Sequence, residues 1–214
     1  MEKLLPLTGF NLQLTTAEER PHQISLFIHT HRQTAQLLEL AAHLARRGPL
    51  LVLDGGNCFN TYRVAATLYR LAPYAEVQVN LEHIRAARAF TCFQMAALIH
   101  QALPPPCISP SQVTEGERAI SLSQTMGVPV LVLEFLTTFQ DENIPLRERQ
   151  RLLSSCLNDL RQLAQAAPVL VTVRQSGTQP TPPEMLARLE ATAGEVWTAE
   201  PPLPAPVQPP LFAE

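Results

Sequence analysis

The chain has 214 residues, which is enough for one α/β domain with a substantial buried core. It carries 16 basic and 19 acidic residues, so overall charge cannot attract a nucleic acid and any phosphate contact must be local. The four cysteines form no CxxC pair and follow no recognisable signal peptide, which predicts reduced thiols in a cytoplasmic protein. The longest apolar run, Val128 to Leu133, is too short to span a bilayer.

Apolar runs alternate with segments of helical periodicity, which predicts an α/β domain with a mostly parallel sheet and helices on both faces. In chain order, the predicted elements are a strand at Ile24 to Ile28, a helix at Ala35 to Arg47, a strand at Leu50 to Leu53, helices at Thr61 to Leu71 and Leu81 to Leu103, a strand at Val128 to Leu133, a helix at Pro145 to Ala166, a strand at Val169 to Val173, a helix at Pro183 to Ala191 and a strand around Val196-Trp197. A break in the helix at Leu81 to Leu103 is indicated near Phe90-Thr91.

The pattern divides the chain into an N-terminal segment (1–23), a core domain (24–199) and a tail (200–214). Six prolines between Pro201 and Pro210 rule out helix or sheet in the tail, which is predicted to be an extended, solvated arm.

Six strings in the core resemble, in the correct order, segments of the RecA/RadA recombinase family. They are Gln33-Thr34-Ala35-Gln36-Leu37 at the end of the family's P-loop, Leu53-Asp54-Gly55-Gly56-Asn57-Cys58-Phe59 at its Asp-x-Glu-Gly-x-Phe segment, Ile84 to Thr91 with Gln94 at its ARA-aromatic segment, Val130 to Glu134 at its Walker B strand, Pro145 to Gln150 leading into Leu160 to Ala164, and Val171 to Arg174. The resemblance implies a RecA-like core of the P-loop ATPase class over roughly 24–175.

The same resemblance implies a degenerate nucleotide site at the strand ends. Its residues would be His31, Arg32, Gln33, Thr34, Asp54, Gly56 and Glu134. The turn before the first helix has no glycines to bring backbone N–H groups together around a phosphate, and Gln33 stands where the family has a lysine. Gly56 replaces the glutamate that orients the attacking water, and Phe135 follows Glu134 in place of a hydroxyl residue. We therefore expect a pseudo-ATPase with no catalytic residue and no cofactor.

Two further segments correspond, by resemblance, to the family's DNA-facing loops. The first, Thr137 to Leu146, contains Gln140-Asp141-Glu142-Asn143, whose negative charge repels phosphate. The second, Arg174 to Gln179, is short and has one cation. The candidate DNA-facing residues are Arg147, Arg149, Arg174 and Gln175. Glu148 and the spacing around the helix disperse this basic edge, so we expect weak or no autonomous DNA binding.

The tail contains Gln208-Pro209-Pro210-Leu211-Phe212, which resembles the Q-x-x-L-F pentapeptide that docks bacterial repair and replication proteins on the sliding clamp. An extended arm would present Leu211 and Phe212 as apolar anchors, and Gln208 would fix the register through amide hydrogen bonds. The sequence therefore suggests the clamp as a protein partner.

Two functions remain open at this point. The first is a non-catalytic RecA-like accessory or scaffold protein of DNA repair or recombination, which acts through protein contacts and could associate with itself. The second is an enzyme, or a regulator that senses a nucleotide or small ligand, with a rearranged pocket built from His29, His31, Arg32, Asp54 and Glu134. The six histidines lack cysteine or carboxylate partners at ligand spacing, so no metal site is predicted.

Overall fold

The computed structural model describes residues 23–30, 33–104, 127–175 and 181–199. These residues form a three-layer α/β/α fold, which confirms the predicted fold class. The strands are β1 (Ile24–His29), β2 (Leu50–Asp54), β3 (Ile84–Arg88), β4 (Val130–Leu133), β5 (Val169–Arg174) and β6 (Glu195–Thr198). The helices are α1 (Thr34–Ala45), α2 (Thr61–Leu71), α3 (Tyr74–Glu82), α4 (Cys92–Ala102), a 3₁₀ helix (Phe135–Phe139), α5 (Leu146–Ala166) and α6 (Pro183–Glu190).

The six strands form one all-parallel sheet in the order β3-β2-β4-β5-β1-β6. Each residue of β4 is buried, as expected for a strand covered on both faces. Because all strands run the same way, their carboxyl ends meet at one edge of the sheet. His29 is paired in register with Arg174, and Asp54 with Leu133, the residue before Glu134. The predicted site residues at these strand ends therefore share that edge.

Two apolar cores separate the sheet from its helices. One core includes Met95 of α4, Phe135 of the 3₁₀ helix and Leu160 of α5. The other includes Leu40 of α1 and Val64 of α2. The sheet is therefore sandwiched between two helical layers. Among the described residues, no helix combines the length and apolar character that crossing a membrane requires.

The helix predicted from Leu81 to Leu103 is confirmed only after its expected break, and the part before the break is wrong. Helix α3 begins earlier and ends at Glu82, strand β3 follows, and α4 begins only at Cys92. Strand β3 pairs with β2 alone and is only partly buried, and its sequence Ile-Arg-Ala-Ala-Arg lacks the apolar run of the inner strands. Alanine and arginine favour helices intrinsically, so only pairing with β2 fixes this segment as a strand. The break expected near Phe90-Thr91 is present, since Thr91 caps α4 by accepting a hydrogen bond from the Gln94 N–H at 3.2 Å.

The predicted tail and all of the N-terminal segment except Gln23 lie outside the described residues.

We expect Leu131→Ala to lower the free energy of unfolding by about 2–5 kcal/mol, because it leaves a cavity in the middle of the sheet. Leu131 is 0% exposed on β4, whereas Leu146, at the start of α5, is 51% exposed. The matched change Leu146→Ala should therefore shift the free energy by less than about 0.5 kcal/mol. Urea unfolding of the two variants measures both values, and similar losses would contradict this assignment of the core.

Candidate functional site

Glu134 is the central residue of the carboxyl edge of the sheet. It follows β4 directly and has φ 53° and ψ 45°, a left-handed conformation that costs a residue with a side chain about 1–2 kcal/mol. Its backbone N–H donates a hydrogen bond to the Thr172 hydroxyl at 3.0 Å, and the 3₁₀ helix begins at the next residue. The side chain is fully buried. The chain therefore leaves the sheet through a sharp turn that holds a carboxylate inside the protein.

The Glu134 carboxylate lies between two basic side chains. His29 Nε2 is 3.1 Å from Glu134 Oε1, and Arg174 Nε is 3.7 Å from Oε2. His29 Nδ1 is 2.8 Å from the Thr30 carbonyl, which can only accept, so Nδ1 carries a proton. Within the described residues, neither His29 Nε2 nor either Glu134 carboxylate oxygen has an aligned hydrogen bond. The three side chains lie in close contact, and within the described residues the hydrogen-bonding capacity of His29 Nε2 and of the Glu134 carboxylate is not satisfied.

Gly56 is required by the position of Glu134. A Cβ atom at residue 56 would lie 2.4 Å from both Cβ and Cγ of Glu134, well inside van der Waals contact. At Gly55, a Cβ would lie 2.7 Å from the Met95 side chain and 3.0 Å from the Glu134 carbonyl oxygen. The position that by resemblance corresponds to a catalytic glutamate therefore cannot carry any side chain while Glu134 keeps its place.

Asp54 organises the turn that follows β2. Its Oδ1 accepts from the N–H groups of Gly56 at 3.2 Å and Cys58 at 3.1 Å, and its Oδ2 accepts from the N–H of Phe59 at 2.9 Å. Arg88 Nε adds a contact to Oδ2 at 3.3 Å. With both oxygens used inside the protein, this carboxylate serves the fold of the turn.

Gln33 also turns inward. Its side-chain oxygen accepts a hydrogen bond from the Thr30 backbone N–H at 3.0 Å and another from the Thr30 hydroxyl. Thr34, the first residue of α1, has a buried hydroxyl with no hydrogen-bond partner within the described residues. His31 and Arg32 lie outside the described residues. Gln33, which by resemblance stands where the family has a lysine, therefore closes the turn in which it lies.

Cys58 belongs to the same edge, although we did not predict it as a site residue. Burial together with the neighbouring carboxylates of Asp54 and Glu134 raises the pKa of the Cys58 thiol far above its usual range. The thiol therefore stays protonated near neutral pH and is a poor nucleophile. The sequence did carry a signal for it: Asp54 is followed by Gly-Gly-Asn and then Cys58, a pattern typical of a turn that an aspartate side chain closes.

The candidate DNA-facing residues occupy different positions. Arg149 donates to the carbonyl oxygens of Ile144 at 2.9 Å and Phe139 at 3.1 Å, so it fixes the loop before α5. Arg174 faces Glu134, and the Gln175 N–H donates to the His29 carbonyl at 2.8 Å. Arg147 borders an open groove next to Phe93 and Ile144. These side chains do not form one continuous basic surface.

The fold and this edge define an α/β parallel-sheet protein, compatible with a P-loop-like fold, whose buried carboxylate lies between a histidine and an arginine. Comparison with protein-family models and with curated proteins finds no match for the chain. Within the described residues, no group of three or more histidine, cysteine, aspartate or glutamate side chains is arranged to hold a metal ion. The chemistry of the site is therefore argued from its own geometry.

We expect Gly56→Ala to destabilise the protein by about 1–3 kcal/mol, because the new methyl group overlaps Glu134 in a packed interior. The change Glu134→Gly removes both atoms that would clash and relieves the left-handed residue. In a double-mutant cycle, Gly56→Ala should therefore cost much less when residue 134 is glycine. Chemical denaturation of the four proteins measures the coupling, and additive effects would mean that the two residues do not touch.

Proposed function

We propose that the chain is a non-catalytic RecA-like accessory or scaffold protein, which acts through protein contacts in DNA repair or recombination. One observation carries this proposal: the polar groups at the carboxyl edge are directed at the protein itself. Gln33 binds Thr30, Asp54 binds its own turn, and Glu134 lies against His29 and Arg174.

Nucleotide chemistry needs the opposite arrangement. A triphosphate requires backbone N–H groups and a cation aimed outward at its oxygens. Gln33 offers a neutral oxygen that is already engaged, and Gly56 has no room for a residue that could orient water. By the resemblance, Glu134 stands where the family's magnesium site would be, and here its side chain is fully buried in contact with His29 and Arg174. These features support a pseudo-ATPase.

The surface supports a role in protein contacts. All three tyrosines of the chain are exposed on α2 and at the start of α3, with exposed fractions of 88% for Tyr62, 54% for Tyr69 and 81% for Tyr74. Tyr69 and Tyr74 stack with ring centroids 5.6 Å apart. Tyrosine is enriched at the energetic centres of protein interfaces, so self-association or a protein of DNA metabolism is a reasonable occupant of this face.

A second candidate function is favoured by the unsatisfied hydrogen-bonding groups of His29 and Glu134. A small polar ligand that reached them would gain hydrogen bonds that the protein leaves unmade. The chain would then be a regulator that senses this ligand, or an enzyme with a rearranged pocket. A thermal-shift panel of nucleotides and small polar metabolites separates the two functions, since a scaffold with a closed edge shows no shift.

We expect calorimetric titration with ATP and magnesium to give no binding at micromolar concentration, because the phosphates have no cradle and no outward cation. The variant Glu134→Gln is the control, since it removes the buried charge and keeps the size of the side chain. Micromolar binding that Glu134→Gln weakens would overturn the proposal, because Glu134 would then serve the nucleotide.

We expect the sliding clamp to bind the full chain and to lose most of its affinity when 208–214 are deleted, because Leu211 and Phe212 are the anchors of the docking motif. The double substitution Leu211→Ala and Phe212→Ala should act like the deletion, and replacing Pro209 and Pro210 by alanine should have little effect. Surface plasmon resonance measures these affinities. Equal affinity for the full and shortened chains would remove the clamp as a partner of this tail.

A further inference from the structure

Helices α5 and α6 border an open groove of about 260 Å³ that the proposed function does not use. Leu157 of α5 and Ala191, just after α6, form its apolar part, while Arg161 and Arg188 approach from the two helices. Ser154, Asn158 and Thr192 complete the lining. The groove therefore contains two guanidinium groups, neutral polar groups and no carboxylate.

A chain of hydrogen bonds positions Arg188. Its NH2 group donates to the Ser154 hydroxyl at 2.6 Å, and that hydroxyl donates its own proton to the Gln150 carbonyl at 2.7 Å. Because the hydroxyl proton is used in this way, the oxygen lone pairs face Arg188. A neutral group therefore holds the guanidinium and leaves its positive charge uncompensated.

A second chain of the same kind positions Arg161. Its NH2 group donates to the Thr192 hydroxyl at 3.3 Å, and that hydroxyl donates to the Arg188 carbonyl at 2.8 Å. Asn158 accepts from the NH1 group at 3.5 Å. Thr192 thus links the Arg161 guanidinium to the backbone of Arg188, and both arginines line the same groove.

Some arginines in the described part of the chain are paired with carboxylates, but the two arginines of this groove are not. Arg70, Arg88, Arg151 and Arg174 each lie within 4 Å of a carboxylate, whereas Arg161 and Arg188 form no ion pair with a described carboxylate. Asp159, close to Arg161 in sequence, contacts His100 instead at 3.2 Å. Each guanidinium has five N–H donors, and neutral acceptors take up only some of them. Two oriented cations with spare donors remain available to an anion.

We propose that this groove binds the phosphate group of a small phosphate or phosphate monoester, with Arg161 and Arg188 as its ligands. A phosphate dianion matches two guanidinium groups in charge. Its oxygens are arranged tetrahedrally, so they can accept hydrogen bonds from arginines that approach from two different helices. The exposed Ala191 and the small exposed edge of Leu157 would contact the remainder of a monoester. The site is independent of the strand-end cluster and of the proposed function.

The probe for the test is inorganic phosphate, compared with chloride at matched ionic strength. We expect phosphate at tens of millimolar to raise the melting temperature of the full chain, since an open site with two arginines should bind with a Kd on the order of millimolar. The double variant Arg161→Gln with Arg188→Gln should lose the site-specific part of the rise. Phosphate also stabilises proteins in general, so the remaining rise in the double variant measures that background.

Two control variants keep the result interpretable. Arg147→Gln removes an exposed arginine from the other end of α5 and should retain the full phosphate-dependent rise. The pair Arg161→Lys with Arg188→Lys keeps both charges but loses the planar donors, so it should retain only part of the rise. Melting in chloride shows that each variant is folded.

The outcomes show whether the groove responds to inorganic phosphate, to a phosphate monoester or to a nucleic-acid backbone. A larger rise in the wild type than in the double variant, with phosphoserine acting like inorganic phosphate, supports the proposal. An equal rise in the wild type, the double variant and Arg147→Gln overturns it. Stabilisation by a single-stranded oligonucleotide without any response to inorganic phosphate or phosphoserine also overturns it, because the groove would then serve a nucleic-acid backbone.

Discussion

The left-handed turn at Glu134 sets the arrangement of the whole carboxyl edge. By turning sharply after β4, the chain places a carboxylate inside the protein, next to His29 and against the backbone of Gly56. A buried carboxylate is costly unless charge or hydrogen bonds compensate it, and here His29 Nε2 lies 3.1 Å and Arg174 Nε 3.7 Å from its oxygens. The local backbone strain and the buried charge are both maintained by the surrounding packing.

This turn explains why neighbouring residues take the roles they do. Gly55 and Gly56 allow the loop after β2 to approach Glu134 and the 3₁₀ helix, and Asp54 holds that loop with its two oxygens. Gln33 closes the turn after β1 on the other side of the cluster. Among the described residues, contacts within the protein therefore take up part of the region that open α/β sheets commonly use for ligands.

The sequence predicted the inner strands well, because strands buried on both faces are continuous apolar runs. The predicted strand at Val128 to Leu133 contains β4, and the predicted strand at Val169 to Val173 lies within β5. It did not predict β3, whose alanines and arginines favour a helix until β2 provides hydrogen bonds. The sequence showed that Gln33 stands where the resemblance expects a lysine, but it could not show that the Gln33 side chain turns back to Thr30. The sequence also could not show why residue 56 must be glycine, because the atoms that leave no room for a side chain belong to Glu134, 78 positions later in the chain. Likewise, the pairing of Arg161 with Arg188 depends on how α6 packs on α5.

The most direct test of the closed edge is a crystal structure of the full chain grown with a large excess of a non-hydrolysable ATP analogue and magnesium. We predict that Glu134 keeps its contacts with His29 and Gly56 and that no nucleotide lies between Gln33 and Glu134. A structure with the analogue's phosphates at the start of α1 and the Glu134 carboxylate turned toward magnesium would contradict the account.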